Sequence, residues 1–365
     1  MNVNNKPYQS IWRQKGSDTV FIVDQRPLPH KFVVEELNAV RDVVKAIKDM
    51  HVRGAPLIGV TAAYGIYFAA KESSTFSEIE NFAQKIKDTR PTAVNLEWAV
   101  DVCLKHLAKA DRKEWVELAL EKADQIREES IDRCRKIGEH GLALIESVHE
   151  QKPESPVNIL THCNAGWLAC VDYGTATAPN YLAHEKGIPL HVWVDETRPR
   201  NQGARITAFE LAQQGIPHTV IVDNAGGLLM QKGMVDMVLV GSDRTSRNGD
   251  VANKIGTYLK ALAAHDNNIP FYVALPSSTL DLNIEDGSEI PIEERSSSEV
   301  SMVQGMINGA VQKIFIIPKD SSVSNYGFDI TPAQYVSKLI TELGICDANE
   351  KSIVDHLAKP LGSNE

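Results

Sequence analysis

The sequence predicts an α/β chain in two parts: a mainly helical domain over residues 1–150, then a doubly wound parallel-sheet domain over 151–365. Three observations carry this expectation. Apolar residues recur at helical spacing through most of the first part. The polar run EQKPESP at 150–156, with two prolines, interrupts that pattern and reads as a linker. Beyond it, short apolar runs alternate with helical stretches, which is the pattern of βαβ units and a parallel sheet.

Taken in order, the first part opens with a strand-like TVFIV at 19–23, and helices are expected over 35–50, 57–70, 77–87, 96–107 and 114–145. The second part carries strand candidates at 157–161, 190–194, 219–222, 237–240, 271–275 and 314–317. Short apolar runs of this kind suit strands covered on both faces. Helices between them are expected to begin near Asn164, Gly203, Ala225 and Asp250.

At 365 residues the chain can hold two domains, and its 43% hydrophobic and 24% charged content is that of a globular protein. A net charge of −10 leaves no basic stripe for a nucleic-acid backbone, so any phosphate it binds should be a small one. The start, MNVNNKPYQSIW, lacks the apolar core of a secretory signal, and no run is long enough to span a membrane. Neither nucleic acid nor membrane is therefore an expected partner. Five cysteines, odd in number and without a C-x-x-C pair, suit a reducing cytoplasm better than disulfides or zinc. The histidines show no metal spacing. No G-x-G-x-x-G follows a strand, and there is no Walker loop or G-x-S-x-G elbow, so the expected site uses no metal, nucleotide or other cofactor.

Ligands of such a sheet bind beyond the carboxyl ends of its strands. Five expected exits are polar: THCNAG from Thr161, DETRPRNQG from Asp195, DNAGG from Asp223, GSDR from Gly241 and PSSTLD from Pro276. Cys163 has two readings. Ahead of an expected helix, backbone N–H groups would lower its pKa and favour a thiolate. Alternatively it is a small buried hydrophobe, the reading given to Cys103, Cys134, Cys170 and Cys346. Its place between His162 and Asn164 at a strand exit favours function. Asp243 can be an acid, a helix cap or the partner of Arg244. Asp250, directly before the helix expected over 251–264, is the better cap, which leaves Asp243 for chemistry. As an acid near neutral pH it needs an apolar, enclosed setting. Lys254 would stand in the first turn of that helix, against its dipole, a placement that an anion such as phosphate makes favourable. In the first part, Arg53, Gly54 and Ala55 mark a helix junction, where Gly54 admits an anion to the backbone and Arg53 can clamp it. Arg90 is a similar loop cation; for both arginines the alternative is a solvated side chain.

VRGAP (52–56), TRPTAVNL (89–96), THCNAG (161–166), DETRPRNQGAR (195–205), GSDR with NGD-ANKIGTY (241–258) and PIEER (291–295) resemble the methylthioribose-1-phosphate isomerase family. Those aldose–ketose isomerases are related to the regulatory subunits of the translation-initiation guanine-nucleotide exchange factor. The stretches span most of the chain in family order. The resemblance implies a helical amino-terminal domain, a Rossmann-like carboxyl-terminal domain and a homodimer. It implies Cys163 and Asp243 as the catalytic pair, with substrate contacts from Arg53, Gly54, Ala55, Arg90, Gln202, Asn253 and Lys254. The implied reaction converts 5-methylthioribose 1-phosphate to 5-methylthioribulose 1-phosphate, in methionine salvage. The chain departs from the family pattern at Trp167, Ser246-Arg247 and Tyr326-Gly327, so isomerisation of 5-deoxyribose 1-phosphate stays open. Ribose 1,5-bisphosphate would require a second cationic site, which is not identifiable in the sequence. A non-catalytic regulatory subunit on the same fold would require neither the acid nor the thiol.

Overall fold

The computed structural model describes residues 1–14, 16–90 and 94–358, so residues 91–93 of TRPTAVNL lie outside the described residues. The chain forms two compact units, Met1–Cys134 with Gly166–Gly174, and Arg135–Ala165 with Thr175–Glu365.

In the first unit, β1 (Ile11–Arg13), β2 (Val20–Asp24) and β3 (Val33–Leu37) form an antiparallel sheet. The helices α1 (Val40–Lys48), α2 (Ala55–Glu72), α3 (Phe76–Lys87) and α4 (Val94–Leu107) follow, and α5 (Trp115–Gln151) runs on into the second unit. Every residue of α2 from Leu57 to Ala70 is buried, as a helix apolar all round requires. A reciprocal capping box between Thr75 and Glu78 starts α3. The helix expected from residue 35 begins later. Glu35 lies on β3 opposite Ile22, because pairing with β2 outweighs the helical preference of the local sequence.

The second unit runs β4 (Val157–Thr161), α6 (Ala178–Glu185), β5 (Leu190–Asp195), α7 (Ala208–Gln213), β6 (His218–Ile221), α8 (Ala225–Gln231) and β7 (Met237–Val240). Next come β8 (Arg244–Ser246), β9 (Val251–Lys254), α9 (Thr257–Asp266), β10 (Phe271–Ala274) and β11 (Leu280–Asp281). After them follow β12 (Met302–Ile307), β13 (Ala310–Phe315), β14 (Phe328–Thr331), β15 (Lys338–Thr341), β16 (Gly344–Cys346) and α10 (Glu350–Leu357). Seven strands make one sheet in the order β16-β15-β10-β7-β4-β5-β6, parallel except at the edge strand β16. From β4 the chain winds outward through β5 to β6, then returns to β7 on the other side of β4. The winding therefore reverses between β4 and β7, and Cys163 and Asp243 follow those two strands. Ligands of doubly wound sheets bind at such a switch point.

Three expected elements are corrected. The apolar run at 314–317 is not a sheet strand: residues up to Phe315 pair with β12 in an antiparallel ribbon, while β15 and β16 complete that side of the sheet. No helix begins at Asp250. Ala252 pairs with Arg244 on one side and Ile330 on the other, making β9 an inner strand of a second sheet ordered β11-β8-β9-β14. Helix α9 starts only at Thr257, after Gly256 at φ +101. Nor does a helix start at Asn164; Asn164 and Ala165 lie in a loop, and the next helix of this unit is α6. Among the described residues, no helix is long and apolar enough to cross a membrane.

Candidate active site

The loops after β4 and β7 touch: a Cβ added to Gly241 would lie 2.7 Å from the Cβ of Ala165. At the end of β4, Thr161 donates its hydroxyl to the Leu239 carbonyl at 2.8 Å. Cys163 follows at φ +66, a left-handed conformation uncommon outside glycine. Its N–H donates to Thr197 Oγ1 at 2.8 Å, and its carbonyl accepts from Thr207 Oγ1 at 2.7 Å. Thr197, after β5, stands at φ +67 although it is β-branched, and its N–H donates to Asp223, beyond β6, at 2.7 Å. Strained residues held by their neighbours cluster where a fold must fix reactive groups. The exits of β4, β5 and β6 are thus tied together around Cys163. The helix expected to begin at Asn164 is not formed, so the reason it gave for a lowered Cys163 pKa falls.

Beside the cysteine lies a buried polar cluster. His162 Nδ1 is 2.9 Å from Asp195 Oδ2, and its Nε2 is 2.8 Å from the Ile255 carbonyl. Lys260, on α9, brings its ammonium to 3.1 Å from the same Asp195 oxygen. His162, Asp195 and Asp223 lie close enough to share a metal ion, as do Asp24, Glu35 and His51 in the first unit. In each group a cation already stands among the carboxylates, Lys260 in one and Arg26 in the other. The turn after β9 packs on the imidazole, since a Cβ on Gly256 would lie 3.1 Å from the ring. Asp329, on β14, accepts from the N–H groups of Gly256 at 2.6 Å and Tyr258 at 3.2 Å. Burial raises the Asp329 carboxyl above its ordinary value, against the pull of those two N–H groups.

Asp243 is exposed, so the enclosed setting expected for it is not formed at the strand exit itself. The chain enters β8 at the next residue, and the Asp243 N–H donates to the Ala252 carbonyl at 2.9 Å. Lys254 is buried on β9, not placed in a helix turn. Its Nζ donates to the Gly327 carbonyl at 2.8 Å and lies 4.6 Å from the centre of the Phe328 ring. Asn253 is buried beside it, with Nδ2 donating to Thr257 Oγ1 at 3.0 Å. Gln202 is buried, and its Oε1 has no hydrogen-bond partner among the described residues. Asp250 caps no helix; it accepts from the N–H groups of Ala333 at 2.8 Å and Gly287 at 3.0 Å and so pins two loops. Ser246 bonds Asn248 at 2.7 Å and Arg247 pairs with Glu350 at 2.8 Å, so both have structural partners.

Arg53, Gly54, Ala55 and Arg90 belong to the first unit. Gly54 stands at φ +93 where α2 begins, and a Cβ there would meet the Ala169 carbonyl oxygen at 2.3 Å. Arg53 and Arg90 are half-buried. Sequence reasoning missed Lys260 and Asp329 and passed over the pairing of His162 with Asp195. His162 and Asp195 already stood in polar strand exits, whereas Lys260 sits in the first turn of α9 where a lysine reads as solvent-facing.

A doubly wound parallel sheet with polar loops at its switch point is the architecture of α/β enzymes that take small molecules, and their ligands bind at that point. Residues 51–348 match the family model described as the Initiation factor 2 subunit family. Methylthioribose-1-phosphate isomerase of Desulfatibacillum aliphaticivorans is 54% identical over 362 residues, covering 97% of this chain and 98% of that protein. The fold is similar to the crystal structure of 5-methylthioribose 1-phosphate isomerase from Pyrococcus horikoshii OT3, with a TM-score of 0.84 and 37% identity over 96% of each chain. It is also similar to a structure named as the delta subunit of a translation initiation factor from A. fulgidus. There the TM-score is 0.81, with 39% identity over 97% of this chain and 100% of that one. The chain belongs to the methylthioribose-1-phosphate isomerases within the Initiation factor 2 subunit family.

Proposed function

We propose that the chain converts 5-methylthioribose 1-phosphate to 5-methylthioribulose 1-phosphate as an aldose–ketose isomerase. The observation that supports it most is that Cys163 and Asp243 follow the two strands flanking the sheet's switch point, in a chain 54% identical to an enzyme of that name. A sugar 1-phosphate cannot open its ring unaided, because its anomeric oxygen is esterified. In our reading, protonated Asp243 gives its proton to the ring oxygen, the C1–O4 bond breaks, and C1 becomes electron-poor. The Cys163 thiolate then takes the proton from C2, and the electrons of that C–H bond form a C1=C2 enol. The thiol returns the proton to C1 while the C2 hydroxyl gives its own to the Asp243 carboxylate, leaving a C2 ketone and both residues restored. In the hydride variant the C2–H electron pair moves directly to C1, and the cysteine only stabilises charge. Asn253, Lys254, Arg53 and the Gly54 backbone are assigned to the phosphate, and Ala55, Arg90 and Gln202 to further substrate contacts. Positioning and electrostatics then supply much of the rate.

The test is turnover of the purified chain on the 5-methylthio, 5-deoxy and 5-phospho sugars side by side. The first should be the best substrate, and C2 deuterium retained in the product would favour the hydride route over the enol. A chain that turns none of them over and that a pentose 1-phosphate does not stabilise thermally would be a non-catalytic regulatory subunit, the reading suggested by its likeness to the A. fulgidus protein. We place the enzyme in the cytoplasm, whose reducing conditions suit a chain with five cysteines, odd in number and without a C-x-x-C pair. Its partner is proposed to be a second copy of itself, seated on the β12–β13 ribbon. Met306, Ile307, Ile314 and Phe315 are exposed there, and a two-stranded ribbon is marginal alone in water. Light scattering should find a dimer, and Ile314→Glu with Phe315→Glu should dissociate it; a variant that stays dimeric would place the interface elsewhere.

A further inference from the structure

The PIEER stretch and the residues after it take no part in the chemistry above, yet they grip the loop that follows β5. Glu299, with a side chain 13% exposed, accepts from Arg200 Nη1 of that loop at 2.8 Å. The same carboxylate accepts from Arg295 Nε and Nη2, each at 2.9 Å, and from Asn325 Nδ2 at 3.1 Å. Arg198 Nη2 adds a bond to the Val300 carbonyl at 2.8 Å. On its other edge the loop is held by Asp223, which accepts the N–H groups of Thr197 at 2.7 Å and Arg198 at 2.8 Å. Gln202 follows directly on this doubly held stretch, its amide oxygen buried and unpartnered. An amide of that kind serves a ligand only if its backbone is kept in place.

The grip extends to the lysine. The Arg295 N–H donates to the Asn325 carbonyl at 2.8 Å and the Gly327 N–H to the Glu293 carbonyl at 2.9 Å. The Gly327 carbonyl in turn accepts from Lys254 Nζ at 2.8 Å. One strap thus touches the strand of Lys254 and the loop of Gln202. Burial would raise the Glu299 carboxyl, but the hydrogen bonds from Arg295 and Arg200 outweigh it and bring it down to about 2. A carboxylate is therefore present at neutral pH to hold both guanidinium groups, and charge-assisted bonds of this geometry are among the stronger ones.

We propose that Glu299 is a positioning residue that clamps Arg200 to Arg295 and so holds the Gln202 loop in its substrate-binding form. Its kinetic consequence rests on the isomerase reading; its mechanical one does not. In the full-length protein, Glu299→Ala should speed hydrogen exchange of the backbone amides at 196–203 by about tenfold or more while the β4 amides keep their protection. With 5-methylthioribose 1-phosphate, KM should rise about tenfold and kcat change less than about threefold, and the KM effect should vanish in a Gln202→Ala background. Unchanged exchange in the loop, or KM effects that simply add in the double variant, would overturn the clamp. If Glu299→Ala does not fold, Arg200→Met removes the loop's half of the pair and carries the same expectations. Absence of wild-type turnover would defeat the isomerase reading, and the exchange measurement would then decide the clamp alone.

Discussion

Cys163 is anchored through its backbone, with its N–H on Thr197 and its carbonyl on Thr207, so its side chain can be removed without releasing the loop. Cys163→Ala should keep the thermal midpoint and the affinity for substrate near wild type while kcat falls by about a hundredfold or more. Asp243 is exposed, and Asp243→Asn should behave alike: stability retained, turnover lost by a similar factor. Steady-state kinetics with a parallel thermal melt checks both, and near-wild-type turnover in either variant removes that residue from the mechanism. Their place just beyond two sheet strands was legible because each closely follows a short apolar run. The ion pair of Lys260 with Asp195 was not, since it joins an α9 residue to the end of β5, and no local pattern encodes such a partner.

Short, mostly apolar runs announced the inner strands, so Met237–Val240 and Val157–Thr161, the latter interrupted by Asn158, were legible with the bounds they have in the structure. β9 was not, because Val-Ala-Asn-Lys carries no alternation and only its two hydrogen-bonded neighbours make it a strand. The lysine that stood out as a helix-dipole anomaly is a buried strand lysine that donates to a carbonyl and lies against a ring, so the dipole argument for it falls. Glycine spacing was likewise ambiguous in sequence, and the structure separates two cases. A Cβ on Gly203 would stand 1.7 Å from the Asp195 carbonyl oxygen, an atom fixed by the end of β5. Gly203→Ala should therefore cost about 3 kcal/mol or more, beyond what side-chain repacking can absorb. On Gly227, inside α8, the nearest neighbour of a Cβ would be Ala263 Cβ at an ordinary 3.7 Å. Gly227→Ala should stabilise by about 0.5–1 kcal/mol through the lost backbone entropy of glycine. Chemical denaturation of the pair gives opposite signs if the two environments are as described, and like signs if they are not.

At the scale of the whole molecule, the doubly wound plan followed from strand and helix alternation, whereas the second sheet and the strap were hidden because they depend on contacts distant in sequence; the ribbon is a local hairpin turning at Asn308-Gly309, a signal that the sequence reading passed over. The strap offers a test in acid. Its central carboxyl, Glu299, lies at about 2 in the folded protein against an ordinary value of 4.5. The folded value is depressed, so the group's contribution to stability is complete above 4.5 and is lost as pH falls from there through about 2. Asp329 runs the other way: its carboxyl is raised, chiefly by burial, so its protonation favours the folded state as the solution is acidified. Wild-type acid sensitivity is the sum of these and other groups, and only a difference measurement isolates the strap. Glu299→Gln keeps the shape of the side chain and removes its titration. The gap in urea midpoint between wild type and Glu299→Gln should be widest above the ordinary glutamate value and should narrow steadily toward about pH 2, where the wild-type carboxyl is itself becoming protonated. A gap that stays constant across that range would mean the carboxylate charge does not hold Arg200 and Arg295, and the strap would then be joined by shape alone.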